Sequence, residues 1–216
     1  MKRRTLDILF SFGGLGIAAL LVIMGIVLTS NANFAKDYVT DQLTQQQITF
    51  KAAESLTEEE KASACVVANA GQLLTTGAQA ECYANDFIAL HLKKSGGGKT
   101  YAQLGDVQTG LRAQITTAQQ SGDPELANLQ KQLADTTSQR ETVFKGETLR
   151  GVLLTAYGFS VFGEKASQFS AVAFAAAALM ALLSIAGFVH AFVTPKTKAF
   201  APPVAEAADK KHPVAA

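Results

Sequence analysis

Tryptophan is absent from this 216-residue chain, and it holds only five prolines, three histidines and two cysteines. With aromatic residues at 8%, a large water-soluble core is not expected, because bulky rings supply much of the area such cores bury. Charge of one sign is also missing: the net charge is +1, so no basic excess points to nucleic acid. The most informative absence is local. Residues 8–29 and residues 166–189 contain no ionisable side chain at all. Mean hydropathy is only +0.16 because a polar middle dilutes these two ends.

Each run is long enough to cross a bilayer as a helix, which takes roughly 20 apolar residues. A positive start before an apolar run also describes a secretory signal, and Ser30, Asn31 and Ala32 offer small residues for cleavage. A signal's apolar region is about 7–15 residues long, shorter than the run found here, so a retained span is the expectation. Lys2, Arg3 and Arg4 precede the first run; Lys196, Lys198, Lys210 and Lys211 follow the second. Residues 30–165 carry 12 Lys and Arg against 15 Asp and Glu, the two ends seven against three. The positive-inside rule then places both termini in the cytoplasm and the middle outside. The expected fold is an all-α membrane protein: a cytoplasmic N-terminus at 1–7, a span at 8–29, an extracytoplasmic helical domain at 30–165, a second span at 166–193, and a disordered cytoplasmic tail at 194–216.

Phe34, Tyr38, Val39 and Leu43 keep helical spacing beyond the first run, so one helix is expected from about Thr5 to Gln46, with Ile48-Thr49-Phe50 extended after it. Thr57-Glu58-Glu59-Glu60 has the form of a capping box, opening a helix that reaches about Ala68. A further helix begins at Thr76 or Gly77 and ends at Lys93-Lys94-Ser95, and Gly96-Gly97-Gly98 makes a turn. Leu104, Val107, Leu111 and Ile115 mark another helix; Ser121-Gly122-Asp123-Pro124 breaks it, and the polar helix that follows completes a hairpin or coiled-coil-like arm. Residues 152–162 are nearly as apolar as a span but too short to cross. They suit an interfacial helix against the outer leaflet or a partner, with Leu153, Leu154, Tyr157, Phe159 and Phe162 as contact residues, or equally an ordinary buried helix. Both spans are rich in small residues, and Gly13, Gly14, Gly16, Gly25, Ala177, Ala181 and Ser184 are the expected packing positions, against each other or a partner.

Cys65 and Cys82 form an even pair in the segment placed outside, where a disulfide closing a loop of about 17 residues is expected; free thiols or a metal site are the alternatives. Ser95-Gly96-Gly97-Gly98-Lys99-Thr100 resembles a phosphate loop only superficially, because that motif requires glycine where Lys93 stands. Zinc and non-haem iron both need clustered ligands. His91 lies between Leu90 and Leu92 as an expected surface or interface residue, His190 ends the second span and should reach the headgroups, and His212 lies in the tail, so a membrane separates the first from the others. The carboxylates read as solvated helix faces, with no close pair for burial to perturb. No catalytic, cofactor-binding or metal residue is expected.

The order of features resembles a family of small two-pass actinobacterial membrane proteins. The residues carrying the likeness are Gln47-Ile48-Thr49-Phe50, then Thr76-Gly77-Ala78-Gln79-Ala80 with Tyr83-Ala84 and Phe87-Ile88, then Gly97-Gly98-Lys99-Thr100-Tyr101, within a likeness that covers about residues 1–190. Members often bear an aromatic ring-opening dioxygenase label, which the scattered histidines here do not support. The chain is also similar to the respiratory supercomplex association factors of mycobacteria. That likeness implies a non-catalytic accessory subunit packed against other integral membrane subunits, those of the cytochrome bcc–aa3 assembly, in contact with lipids. No functional residue carries over. The other class of function the sequence allows is an extracytoplasmic lipid- or small-ligand-binding envelope protein, with an apolar groove near Phe87, Ile88 and 152–162.

Overall fold

The computed structural model describes residues 3–195; the tail expected at 194–216 therefore lies almost wholly outside the described residues, as do Lys2, the four C-terminal lysines and His212. Seven α-helices follow in order: α1 Arg3–Gln45, α2 Glu58–Lys61, α3 Ala64–Ala68, α4 Gly77–Cys82, α5 Ala89–Ser95, α6 Tyr101–Ser121 and α7 Leu126–Val193. A 3-10 turn spans Ala53–Ser55, and a π-helical segment, Tyr83–Ile88, joins α4 to α5. No strand forms among the described residues. The fold is all-helical, and α1 and α7 are each long and apolar enough to cross a membrane. Only 17% of each apolar window is buried, the reverse of a core helix in a water-soluble fold.

The described residues fall into two compact units, one of residues 3–30 and 167–195, the other Asn31–Ala166. In the first, α1 and α7 meet along small side chains. Ser11, Gly14, Ala18 and Gly25 are buried on α1, and Ser170, Ala173, Ala177, Ser184 and Ala191 on α7. Each set is spaced by three, four or seven residues, the heptad rhythm of helices crossing at a shallow left-handed angle.

In the second unit, the extended piece expected at 48–50 forms and pairs with 72–74 through one antiparallel bridge, Thr49 with Leu73. The Phe50 N–H donates to the Gln72 carbonyl at 2.9 Å and the Leu74 N–H to the Ile48 carbonyl at 2.8 Å. Gln47, at φ 52°, makes the left-handed turn that releases the chain from α1. The core gathers Val39, Leu43, Phe50, Leu56, Val66, Leu74, Ala80, Ile88, Leu92 and Leu153.

Two expectations about element boundaries are overturned. The helix expected from Thr57 to Ala68 is broken at Ala62 and Ser63, where Ser63 is extended and caps α3. Residues 152–162 are not a separate short helix: they lie inside α7, which runs unbroken from the α6–α7 hairpin through the second apolar run. No proline interrupts residues 126–193, and each of their glycines costs a helix only about 1 kcal/mol. Two of those glycines instead serve close packing, since a Cβ at Gly146 would collide with Leu92 and one at Gly163 would lie 2.8 Å from Ala35 Cβ. The hairpin itself is as expected: Gly122, at φ 68°, ends α6, and the Asp123 carboxylate accepts from the Glu125 N–H at 2.8 Å ahead of α7.

Candidate functional site

In the first unit the packing positions separate into two groups. Gly14 faces Ser184, whose hydroxyl fills the space a Cβ would need, and Gly187 likewise accommodates Ser11. Gly25 lies beneath the Phe174 ring, where a Cβ would come to 2.8 Å. Its carbonyl accepts from Thr29 Oγ1 at 2.9 Å and from Ser170 Oγ at 3.0 Å, so both hydroxyls are satisfied within an apolar stretch. Ala177 is buried with these and Ala181 half-buried. Gly13 and Gly16 are not part of this packing: both are exposed, and nothing lies within 4 Å of where a Cβ would stand. They occupy the α1 face rotated away from the heptad positions. His190 Nδ1 lies 3.0 Å from Asp7 Oδ2, so the histidine ending the second run has a partner within the chain.

The second unit is organised around Glu60. The Thr57 capping box forms as expected: the Thr57 hydroxyl accepts from the Glu60 N–H at 3.3 Å, and the Thr57 N–H donates to Glu60 Oε2 at 2.8 Å. The other carboxylate oxygen, Oε1, accepts from Lys51 Nζ at 2.7 Å and lies 2.8 Å from His91 Nε2. Glu60 is 1% exposed. Burial by itself pushes this carboxyl up, but the hydrogen bonds from Lys51, the Thr57 backbone and His91, with the Lys51 charge, outweigh it and hold the group at about 2. The carboxylates are therefore not all solvated faces. His91 is likewise more than a surface residue, since its ring binds the buried carboxylate.

A ladder of rings continues from this node. Phe50 meets Tyr83 edge-on at 5.0 Å, Tyr83 stacks on Phe87 at 4.7 Å, and Phe87 meets the His91 ring at 4.6 Å. Lys51 Nζ stands 5.3 Å from the centre of the Phe87 ring. Burial raises the Tyr83 phenol above its usual range. The π segment carries Tyr83 and Phe87; such wider turns are often found at functional positions.

Cys65 and Cys82 are joined in a disulfide, so their free-thiol and metal readings give way. Asp86 Oδ2 lies 2.8 Å from Cys65 Sγ and accepts from Ser63 Oγ at 3.0 Å. These groups border an open depression of about 620 Å³ between α2, α3 and the π segment, with Glu59, Asn85 and Lys93 on its rim. The glycine turn at 96–98 connects α5 to α6 with Gly97 and Gly98 in the left-handed region, and Thr100 caps α6 through a capping box with Gln103.

The expected contact residues of 152–162 lie in different surroundings. Leu153 is 1% exposed in the core and Leu154 packs against it, so neither faces outward. Tyr157 is half-buried, whereas Phe159 and Phe162 are exposed. Phe144, Leu149 and Val152 are exposed as well, earlier on α7. Within the α6–α7 hairpin lies a polar cluster that hydropathy gave no sign of. Buried Gln108 donates to Thr137 Oγ1 at 2.7 Å and accepts from Arg140 Nη1 at 2.8 Å, and the Arg140 guanidinium stands 4.1 Å over the Tyr101 ring.

Comparison with protein-family models, curated proteins and solved structures finds no match.

Proposed function

We propose that this chain is a non-catalytic, two-pass accessory subunit that packs against a larger membrane complex and stabilises it. Both termini are cytoplasmic in this reading and residues 30–165 extracytoplasmic; the Cys65–Cys82 disulfide supports that side, because such bonds persist in oxidising compartments. The observation that carries the proposal is the exposed apolar surface of Phe144, Leu149 and Val152, apart from the Phe159 and Phe162 rings. It lies on α7 before the charge-free run begins, where the composition is otherwise ordinary and polar. Large apolar side chains left exposed close together on one helix point to an interaction site. The deeply buried carboxylate of the same unit, Glu60, is taken up by Lys51 and His91 within the chain. The resemblance carried by residues 47–50 and 76–101 points to the respiratory bcc–aa3 supercomplex as the partner.

Solubilising the tagged chain from its native membrane in mild detergent and identifying stoichiometric co-purifying subunits tests this. Cytochrome bcc or aa3 oxidase subunits are expected. A chain that elutes alone overturns the accessory role, and one that elutes with bound lipid but no protein favours the envelope lipid-binding function instead.

A further inference from the structure

Three exposed rings of the second unit form one group, and a fourth follows on α7. Phe34 stacks on Tyr38 with centroids 5.8 Å apart, and Phe159 stands edge-on to both, at 6.4 Å from Phe34 and 5.8 Å from Tyr38. Phe162 lies one turn further along α7. All four are open to solvent, with 61%, 50%, 38% and 76% of their surface exposed in that order. We propose that this cluster is a lipid-contact surface seated at the headgroup boundary of the outer leaflet, with bilayer lipid, not protein, as its occupant. The proposal rests on the two-pass reading and is independent of which complex the chain joins.

Three observations select lipid. Along the chain, Phe34 follows the first charge-free run, which ends at Thr29, and Phe162 precedes the second, which begins at Ala166. Both intervals are helical, and at 1.5 Å per residue they amount to about 6–8 Å, the depth of the headgroup layer beside a 30 Å hydrocarbon core. Next, the group pairs Phe rings with a Tyr hydroxyl, the amphipathic make-up that concentrates at this depth; with tryptophan absent, Tyr and Phe are the residues left to supply it. Finally, Lys36, Asp37 and Glu164 neighbour the rings in sequence and are exposed, as charge is at a wet boundary.

The lack of tryptophan makes the test direct. Single-tryptophan chains Phe34→Trp, Phe162→Trp, Phe144→Trp and Leu20→Trp are reconstituted into phosphatidylcholine–phosphatidylglycerol vesicles containing lipid brominated either near the headgroup or deep in the acyl chains. Phe34→Trp and Phe162→Trp are expected to be quenched at least about twofold more strongly by the shallow label than by the deep one, and to be shielded from aqueous iodide. Phe144→Trp should respond to iodide and to neither lipid. Iodide quenching of Phe34→Trp and Phe162→Trp equal to that of Phe144→Trp overturns the proposal, as does their shielding from iodide without any response to brominated lipid. Leu20→Trp separates the two failures: if the deep label does not quench it, the span itself is absent and the two-pass reading falls first.

Discussion

Gly25 of α1 supports the Phe174 ring of α7 at a separation that leaves no room for a methyl group, since a Cβ there would reach a ring carbon at 2.8 Å. The contact is made where lipid surrounds both helices in the proposed topology. Hydrophobic expulsion from water does not hold helices together there, so close backbone approach and hydrogen bonding must do so.

Gly25→Leu is accordingly expected to lower stability by about 2 kcal/mol through overpacking against Phe174. Gly16→Ala, on the open face of the same helix, should leave stability unchanged or raise it by up to about 1 kcal/mol through helix propensity. Detergent-driven unfolding in mixed micelles, followed by circular dichroism, reads both.

Replacing Glu60 by Gln removes the charge that Lys51 and His91 share while keeping the side chain's shape. A loss of roughly 1.5–3 kcal/mol is expected, the range for hydrogen bonds to a charged group. The pH dependence has a definite sign. Because the folded-state value lies at about 2 against an ordinary 4.5, the stabilisation is fully present above pH 4.5 and is lost as pH falls towards 2. The native chain should therefore lose more stability than Glu60→Gln across that window. Parallel denaturation profiles would contradict the assignment.

Reduction of the Cys65–Cys82 bond, or Cys65→Ala with Cys82→Ala, should cost about 3 kcal/mol for a loop of this length. Denaturant titrations with and without a reductant measure it. Thiol labelling of the unreduced, unfolded chain is expected to modify neither cysteine.

Arg140→Met should destabilise the α6–α7 hairpin by about 1–3 kcal/mol, because buried Gln108 loses the donor to its amide oxygen. Amide exchange should quicken along residues 101–121 and 126–145 more than in α4 or α5.

The two long apolar helices were legible because charge is simply missing from 8–29 and 166–189, and the disulfide because two cysteines leave only one possible pairing. The Thr57 box was legible because both of its members are local. Other features were not. Gly163, Glu164 and Lys165 look like a boundary, yet none of them breaks a helix, so α7 continues through them. Glu60 sits in an acidic triplet that reads as a solvated face; its partners Lys51 and His91 are tertiary, nine and 31 residues away. The heptad spacing of Ser11, Gly14, Ala18 and Gly25 was present in the sequence, and its period, more than its richness in small residues, separates them from Gly13 and Gly16.

The π segment acts as slack between two moorings. Cys82 at its start is tied to Cys65, while His91 beyond its end is tied to Glu60, and α2 and α3 hold both of those partners. The wider turn absorbs about one residue more than an α-helical turn would, so α4 and α5 keep their faces towards both partners. Inserting a further residue that the turn cannot absorb would swing everything after it by about 100°, and one mooring would have to break.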